Sequence, residues 1–139
     1  MAEKYLGISL AQAKTLIAAG QKKADELGFG AVIAVVDAGG NLIACERQDG
    51  AWIGSIDIAQ KKAFTSRAFD ITTKDLGENS QSGNQFFGIH ASNAGKIMIF
   101  AGGIPLKQGD VVVGAVGVSG SSGENDHAAA EAAVAAFKS

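Results

Sequence analysis

The spacing of apolar residues along the chain separates helical from extended segments. Apolar residues recur every three or four positions from Ser9, a good N-cap, to about Leu27, which predicts an amphipathic helix that ends at Gly28. A second helical period runs from Ser55, also a candidate N-cap, to about Phe69. An alanine-rich segment with an acidic first turn, beginning at Glu124, predicts a terminal helix.

Five short apolar runs, rich in β-branched residues, predict strands. They are Ala31 to Asp37, Leu42 to Arg47, Lys96 to Phe100, Ile104 to Leu106, and Val111 to Val118. Hairpins can join consecutive strands everywhere except at the crossover through the second helix, so an antiparallel sheet is favoured over a parallel one. The sequence therefore predicts an α+β fold on a five-stranded antiparallel sheet.

Two further features of the pattern bear on where a site could lie. The stretch from Thr72 to Ser92 predicts one or two helical turns inside a long excursion, and excursions of this length are often functional. Gly114 and Gly117 fall inside a predicted strand, where glycine usually marks a bulge or a close approach by another group.

Length and composition predict one domain over residues 1–139, which buries roughly 68% of the surface of its unfolded chain. The net charge of -2 makes nucleic acid an unfavourable partner. The first seven residues lack a signal-peptide core, and no run reaches the ~20 apolar residues of a membrane span. We therefore expect a cytoplasmic protein with no membrane partner, and the single cysteine, Cys45, agrees with a reducing compartment.

Several motifs together resemble one protein family over most of the chain, from about Ser9 to Phe137. The motifs are Val35 to Gly40, Arg47 to Ala51, Ser55 to Ala59 with Lys62 and Ala63, Gly102 to Pro105, and Val113 to Gly120. In this order they are similar to the GlcG/HbpS-like family, also called the haem-degrading domain.

The resemblance implies a profilin-like α/β/α fold on a five-stranded antiparallel sheet and assembly into homo-oligomers. It also implies a choice of functions. Some members of the family bind haem or take part in iron and redox sensing. Others are fused to, or encoded beside, enzymes of cobalamin-related metabolism and of diol or glycolate utilisation.

Arg47, Asp49 and Lys62 match motif positions of the family and are the candidate catalytic residues. Arg47 and Asp49 could form a surface ion pair or a turn cap, or Arg47 could hold a ligand carboxylate such as a haem propionate. Lys62 could be a structural or interface lysine, or a functional ammonium that burial tunes for acid-base work. Asp57 lies five residues before it, too far round the helix for an ideal pair, and Lys61 is expected to be solvated.

The histidines offer weaker candidates. His90 stands among apolar residues of the long excursion and could be an axial haem ligand or a locally packed side chain. His127 has less support than the preceding Asp126, which the resemblance favours. Two histidines and one cysteine do not make a closed zinc site, so we predict no metal site formed by protein ligands alone.

The Gly102-Gly103-Ile104-Pro105 segment has two interpretations. Its bare backbone could form a pocket wall that a planar ligand or an anion approaches, with Gly102, Gly103 and Pro105 as cofactor-binding positions beside Arg47 and His90. Alternatively it is a strand break in which Pro105 protects a sheet edge. Ser119 and Ser121 could form a small anion cradle before the last helix, although no P-loop lysine is present.

Two functional hypotheses follow, and whether the protein is an enzyme stays open between them. The first is an oligomeric binding protein for haem, a related tetrapyrrole or another small carboxylated ligand. The second is a small enzyme or accessory factor of diol, glycolate or cobalamin-dependent metabolism that acts on a small oxygenated substrate. A structural oligomer with a vestigial pocket is a third possibility. The ligand hypotheses require Arg47 and the Gly102 turn to line one concavity.

Overall fold

Four strands form one antiparallel sheet in the computed structural model, which describes residues 7–138. The strands are β1 (Val32–Asp37), β2 (Leu42–Arg47), β3 (Gly103–Gln108) and β4 (Val111–Ser119). The helices are α1 (Leu10–Leu27), α2 (Gly54–Phe69), α3 (Thr73–Asn79) and α4 (Gly123–Ala135), with short 3-10 turns at Ile89–Ala91 and Asn93–Gly95. The order across the sheet is β2-β1-β4-β3, so β1 and β4 are central.

The larger part of the core lies between the sheet and the pair formed by α1 and α4. Strand β1 is buried on both faces, and its alternate residues Ile33 and Val35 point into this core. Helix α1 contributes Leu16 and Ile17, while α4 contributes mainly alanines, which let the two helices approach closely. The apolar stripe predicted for the first helix therefore forms one wall of the core.

Helix α2 packs on the opposite face of the sheet, and the contact is made by small residues. Ala34 of β1 packs with Ala59, and Ala63 packs with Ala115 of β4. A Cβ atom on Gly117 would collide with the carbonyl oxygen of Ala59 and lie 2.6 Å from the backbone nitrogen of Ala63. The predicted close approach at this glycine is confirmed, because α2 lies directly against the strand.

The local signals in the first half of the chain are confirmed. Ser9 caps α1 through a reciprocal capping box with Gln12, at 3.1 Å and 2.8 Å, and Gly28 ends the helix in a left-handed conformation with φ of 84°. The predicted hairpin from β1 to β2 is present, and its register pairs Val32 with Arg47. Inside the long excursion, α3 supplies the predicted helical turns and is capped by Thr72.

The predicted strand from Lys96 to Phe100 is wrong, so the described residues contain four strands and not five. Residues 97–99 lie outside any ladder, and the backbone nitrogen of Met98 donates to Oγ1 of Thr65 at 2.9 Å. This segment packs on the α2 side of the molecule, with Ile97 buried, while β3 pairs only with β4. The apolar residues of this segment are therefore explained by burial and not by pairing in the sheet.

The prediction of Ser55 as an N-cap is also wrong. Helix α2 begins at Gly54 and has no side-chain cap, because the hydroxyl of Ser55 lies inside the helix and meets Oγ of Ser119 at 2.9 Å. Pro105 lies on β3, an edge strand, as one of the two interpretations required.

The predicted lack of a signal segment concerns mainly residues 1–6, which lie outside the described residues. Within residues 7–138, none of the helices combines the length and the apolar character needed to cross a membrane.

Candidate functional site

A cavity of about 550 Å³ opens between α2, α3, the segment before β3 and the end of β4. Its wall is largely apolar, with charged side chains on α2, α3 and α4 and serine hydroxyls near the end of β4. Its lining residues include Trp52, Ser55, Lys62, Lys74, Phe100 and Asp126. Apolar walls with a few placed polar groups are typical of small-molecule sites.

A buried ion pair lies at the floor of this cavity. Nζ of Lys62 donates to Oδ2 of Asp126 at 3.0 Å and to the carbonyl oxygen of Val118 at 2.8 Å. Lys62 is only 1% exposed and Asp126 only 2% exposed. Burial lowers the pKa of the Lys62 ammonium from its ordinary value, while the charge and hydrogen bond of Asp126 oppose that shift.

Hydrogen bonds hold the rest of the floor in place. The second carboxylate oxygen of Asp126 accepts from the backbone nitrogen of Ser121 at 2.9 Å, and Ser122 caps α4. The anion at the predicted Ser119 and Ser121 cradle is therefore the chain's own carboxylate. Beside the ion pair, the hydroxyl of Ser119 donates to Oγ of Ser55 at 2.9 Å. The floor therefore combines one cation, one anion and two hydroxyls.

Gly102, just before β3, and Gly103, its first residue, both lie against Lys62. Gly102 has φ of +132°, and a Cβ atom there would lie 2.9 Å from Nζ of Lys62 and collide with the carbonyl oxygen of Val118. Gly103 is equally confined, and its backbone nitrogen donates to Oγ1 of Thr73 at 2.8 Å. Gly102, Gly103 and Pro105 are absent from the lining of the cavity.

Large apolar side chains stand at the mouth of the cavity. Trp52 is 64% exposed and Phe100 is 58% exposed, although both contribute to its wall. Lys74 and Glu78 of α3 are exposed on the same wall and place one charge of each sign there. A ligand entering the cavity would meet aromatic surface first and the ion pair last.

The structure places Arg47 and Asp49 in a different concavity. This polar cleft of about 600 Å³ is also lined by Gln21, Asp25 and Gln48, and it shares no lining residue with the first cavity. Both residues are exposed, and within residues 7–138 neither forms a salt bridge. In a single chain, therefore, Arg47 and the Gly102 turn do not line one concavity. A ligand role for Arg47 or Asp49 stays a prediction.

The remaining candidates are dispersed. His90 lies exposed on the 3-10 turn Ile89–Ala91, outside the lining of the first cavity. His127 has a buried Nδ1 without a hydrogen-bond partner among the described residues, and its Nε2 lies 3.8 Å from Oε1 of Glu131. Asp57 pairs with Lys61 at 3.0 Å and not with Lys62.

Clusters of three or more potential metal ligands among His, Cys, Asp and Glu do not occur in the part of the chain that the structure describes.

Sequence reasoning missed the aromatic mouth and the pairing partner of Lys62. Trp52 is the single tryptophan and stands next to Ile53, between a turn and a helix. At that position the two apolar side chains do not belong to the apolar face of a helix. That position is a usable signal. Asp126 had only the family resemblance to support it, because 64 residues separate it from Lys62.

Comparison with known proteins places this arrangement in a family. The model of the haem degrading protein HbpS-like family matches residues 8–135. A 15.0 kDa protein encoded between dhaT and dhaS in Citrobacter freundii is 38% identical over 94% of this chain and 92% of its own length. The corrinoid adenosyltransferase PduO of the same organism is 34% identical over 97% of this chain, which spans only 40% of PduO.

Solved structures agree with the sequence comparison. Protein ORFY of Klebsiella pneumoniae superposes with a TM-score of 0.92 at 36% identity, over 98% of this chain and 94% of its own. A crystal structure of a PduOC:haem complex superposes with a TM-score of 0.90 at 31% identity, over 94% of this chain and 95% of the other. On the family match and on these full-length likenesses, the chain belongs to the HbpS-like family.

Proposed function

We propose that this protein binds haem or a related planar ligand with acidic groups, and that the ligand enters the cavity between Trp52 and Lys62. The observation that carries the proposal is the exposed aromatic mouth above a buried, charged floor. Large apolar side chains left in water next to a cavity mark a place where another molecule binds.

The ring and acidic edge of haem suit this cavity. Its volume of about 550 Å³ lies within the usual range for small-molecule sites. Trp52 and Phe100 offer apolar surface for a flat macrocycle, and the exposed ammonium of Lys74 can meet a propionate. The PduOC:haem complex, a structure of a family relative, supports haem as the ligand.

The cavity lining does not provide a usual protein ligand for the haem iron. Proteins hold haem iron through His, Cys, Met or Tyr, and none of these residue types lines the cavity. His90, predicted from the sequence, lies outside the lining and would have to reach the iron from there. The cavity therefore fits the macrocycle and its carboxylates, and it does not by itself supply an axial ligand.

Assembly and location form part of the proposal. Ile53 is 80% exposed, and together with Trp52, Phe87 and Phe100 it leaves apolar side chains in water that a second copy of the chain would cover. A homo-oligomer in the cytoplasm, built from a single domain over residues 1–139, is the state that we propose.

Titration with haemin tests the proposed function. We expect a sharpened Soret band that stays with the protein through gel filtration, and that weakens in a Trp52→Ala variant. Ile53→Ala is the matched control, because Ile53 is adjacent and more exposed but does not line the cavity. A band of equal strength in wild type and both variants would place haem elsewhere, and no band would exclude haem.

A second candidate function rests on the floor alone. The ion pair of Lys62 with Asp126 and the Ser55 hydroxyl form a polar end suited to a small oxygenated substrate, and this end needs no axial ligand. An accessory factor or small enzyme of diol, glycolate or cobalamin-dependent metabolism would use it. Thermal stabilisation by small hydroxylated acids, without any haem signal, would favour this function.

A further inference from the structure

Lys62 holds a position that a purely structural lysine does not require. Its ammonium has three N-H donors, and the described residues use two of them, at Asp126 and at Val118. A buried ion pair is often no more stabilising than apolar residues of the same volume, so stability alone gives little reason to keep one. This pair borders the cavity wall, where an entering ligand can reach it.

We propose that Lys62 captures a small aldehyde or ketone as an imine, with Asp126 as its proton acceptor and donor. The inference rests on the proposed function only in taking the same cavity as the ligand site. It names the chemical class of ligand at the floor, a carbonyl compound. The apolar wall and the nearby hydroxyls of Ser55 and Ser119 suit a ligand with a carbonyl group at one end.

The chemistry balances with the groups present. Asp126 Oδ2 takes a proton from the Lys62 ammonium, and the freed amine adds to the carbonyl carbon to give a carbinolamine. The same carboxyl then returns its proton to the departing hydroxyl, which leaves as water. The product is a protonated imine whose positive charge faces the Asp126 carboxylate, so the pairing of opposite charges is preserved.

Burial serves this reaction in two ways. The desolvation that lowers the pKa of Lys62 makes the amine form easier to reach than in an exposed lysine. The small exposed fraction of the side chain admits only a ligand that already occupies the cavity, which favours compact carbonyl compounds. The side chain of Lys61, the neighbouring residue, is 33% exposed and pairs with Asp57 on the surface.

Reductive trapping tests the proposal on the intact chain. The protein is incubated at neutral pH with acetaldehyde or benzaldehyde and cyanoborohydride, and the modified lysines are mapped by peptide mass spectrometry. We expect Lys62 to be labelled about ten-fold faster than Lys61 or Lys74. Labelling of Lys62 at the same rate as the exposed lysines, or more slowly, would overturn the proposal.

Two variants check that the adduct forms on the Lys62 amine and that labelling of the exposed lysines does not depend on the ion pair. Lys62→Arg keeps a cation beside Asp126 but cannot form an imine, so we expect no adduct at this position while circular dichroism is unchanged. In Lys62→Met with Asp126→Asn, both charges are absent, and labelling of Lys61 should match that of wild type. If either variant fails to fold, the comparison of Lys62 with Lys61 in the wild-type protein still decides the result.

The outcome is separable from that of the proposed function. Haemin binding that depends on Trp52, without any adduct on Lys62, would reject the imine and keep the haem proposal. An adduct on Lys62 without a Soret band would do the reverse. Failure of both would remove the cavity as a ligand site.

Discussion

Nζ of Lys62 lies 3.0 Å from Oδ2 of Asp126, although the two residues are 64 positions apart in the chain. The pair joins α2, on one face of the sheet, to the first turn of α4. Lys62 is 1% exposed and Asp126 is 2% exposed, so bulk water compensates neither charge. Each therefore depends on the other for compensation.

Replacing Asp126 by Asn should destabilise the protein by about 3–5 kcal/mol, because Lys62 would be left as a buried charge without a counter-ion. Urea unfolding followed by circular dichroism measures the change. Asp57→Asn is the control, since it breaks the exposed pair with Lys61 and should cost no more than about 0.5 kcal/mol. Equal losses in the two variants would contradict the importance of burial.

Whether stability rises or falls with pH depends on the direction in which folding shifts the pKa of Lys62. Burial lowers this pKa in the folded state, so above the folded value the unfolded chain binds more protons at this position. The cost of burying the ammonium is fully present below the folded pKa and is relieved as pH rises toward the ordinary value of a lysine. Wild-type stability should therefore rise relative to that of Lys62→Met with Asp126→Asn.

Urea unfolding of both proteins between neutral pH and about pH 10 measures that difference, and the comparison cancels the titration of groups that the two proteins share. A difference that does not rise over this interval would mean that the charge of Asp126 offsets or outweighs desolvation at Lys62.

Gly117→Ala should destabilise the protein by about 2 kcal/mol or more, because the added methyl group would push α2 away from β4. Thermal or urea unfolding measures this loss. Gly54→Ala is the matched control, because a Cβ atom at Gly54 meets no atom within 4 Å and alanine favours the start of α2. A neutral Gly117→Ala variant would show that α2 can shift without cost.

Arg47→Ala should leave ligand binding in the Trp52 cavity unchanged, because Arg47 lines the separate polar cleft. Haemin titration of this variant beside Trp52→Ala measures the contrast. If Arg47→Ala weakens binding as much as Trp52→Ala does, the ligand site must join the two concavities, as it could when a second copy of the chain is present.

The sequence predicted the elements that local chemistry determines. The N-cap at Ser9 and the hairpin from β1 to β2 each follow from residues near one another in the chain. At Gly117 the residue type alone indicated a close approach, and its partners Ala59 and Ala63 are distant in sequence. The strand predicted from Lys96 to Phe100 failed, because an apolar run records burial and cannot show whether its backbone finds a pairing partner.

The site was predicted only in part. Lys62 was identified through the family motif, and its burial meets the condition that a functional interpretation required. The separation of Arg47 from Gly102 could not be foreseen, because it depends on the strand order. Both lie at the same end of the sheet but at its opposite edges, on β2 and just before β3, and the sequence does not give that order. Ser55 was predicted as a cap because it stands at the start of a helical period, and its long-range contact with Ser119 is not visible in the sequence.

The ion pair between α2 and α4 also limits how the molecule can open. If the first turn of α4 frayed on its own, Lys62 would lose its carboxylate while its surroundings stayed dry. Opening there is thus coupled to disruption of the α2 layer, and amides such as that of Asp126 should exchange hydrogen about as slowly as those of the central strands. Because the ion pair holds the first turn of α4, we expect this helix to unfold from its C-terminal end.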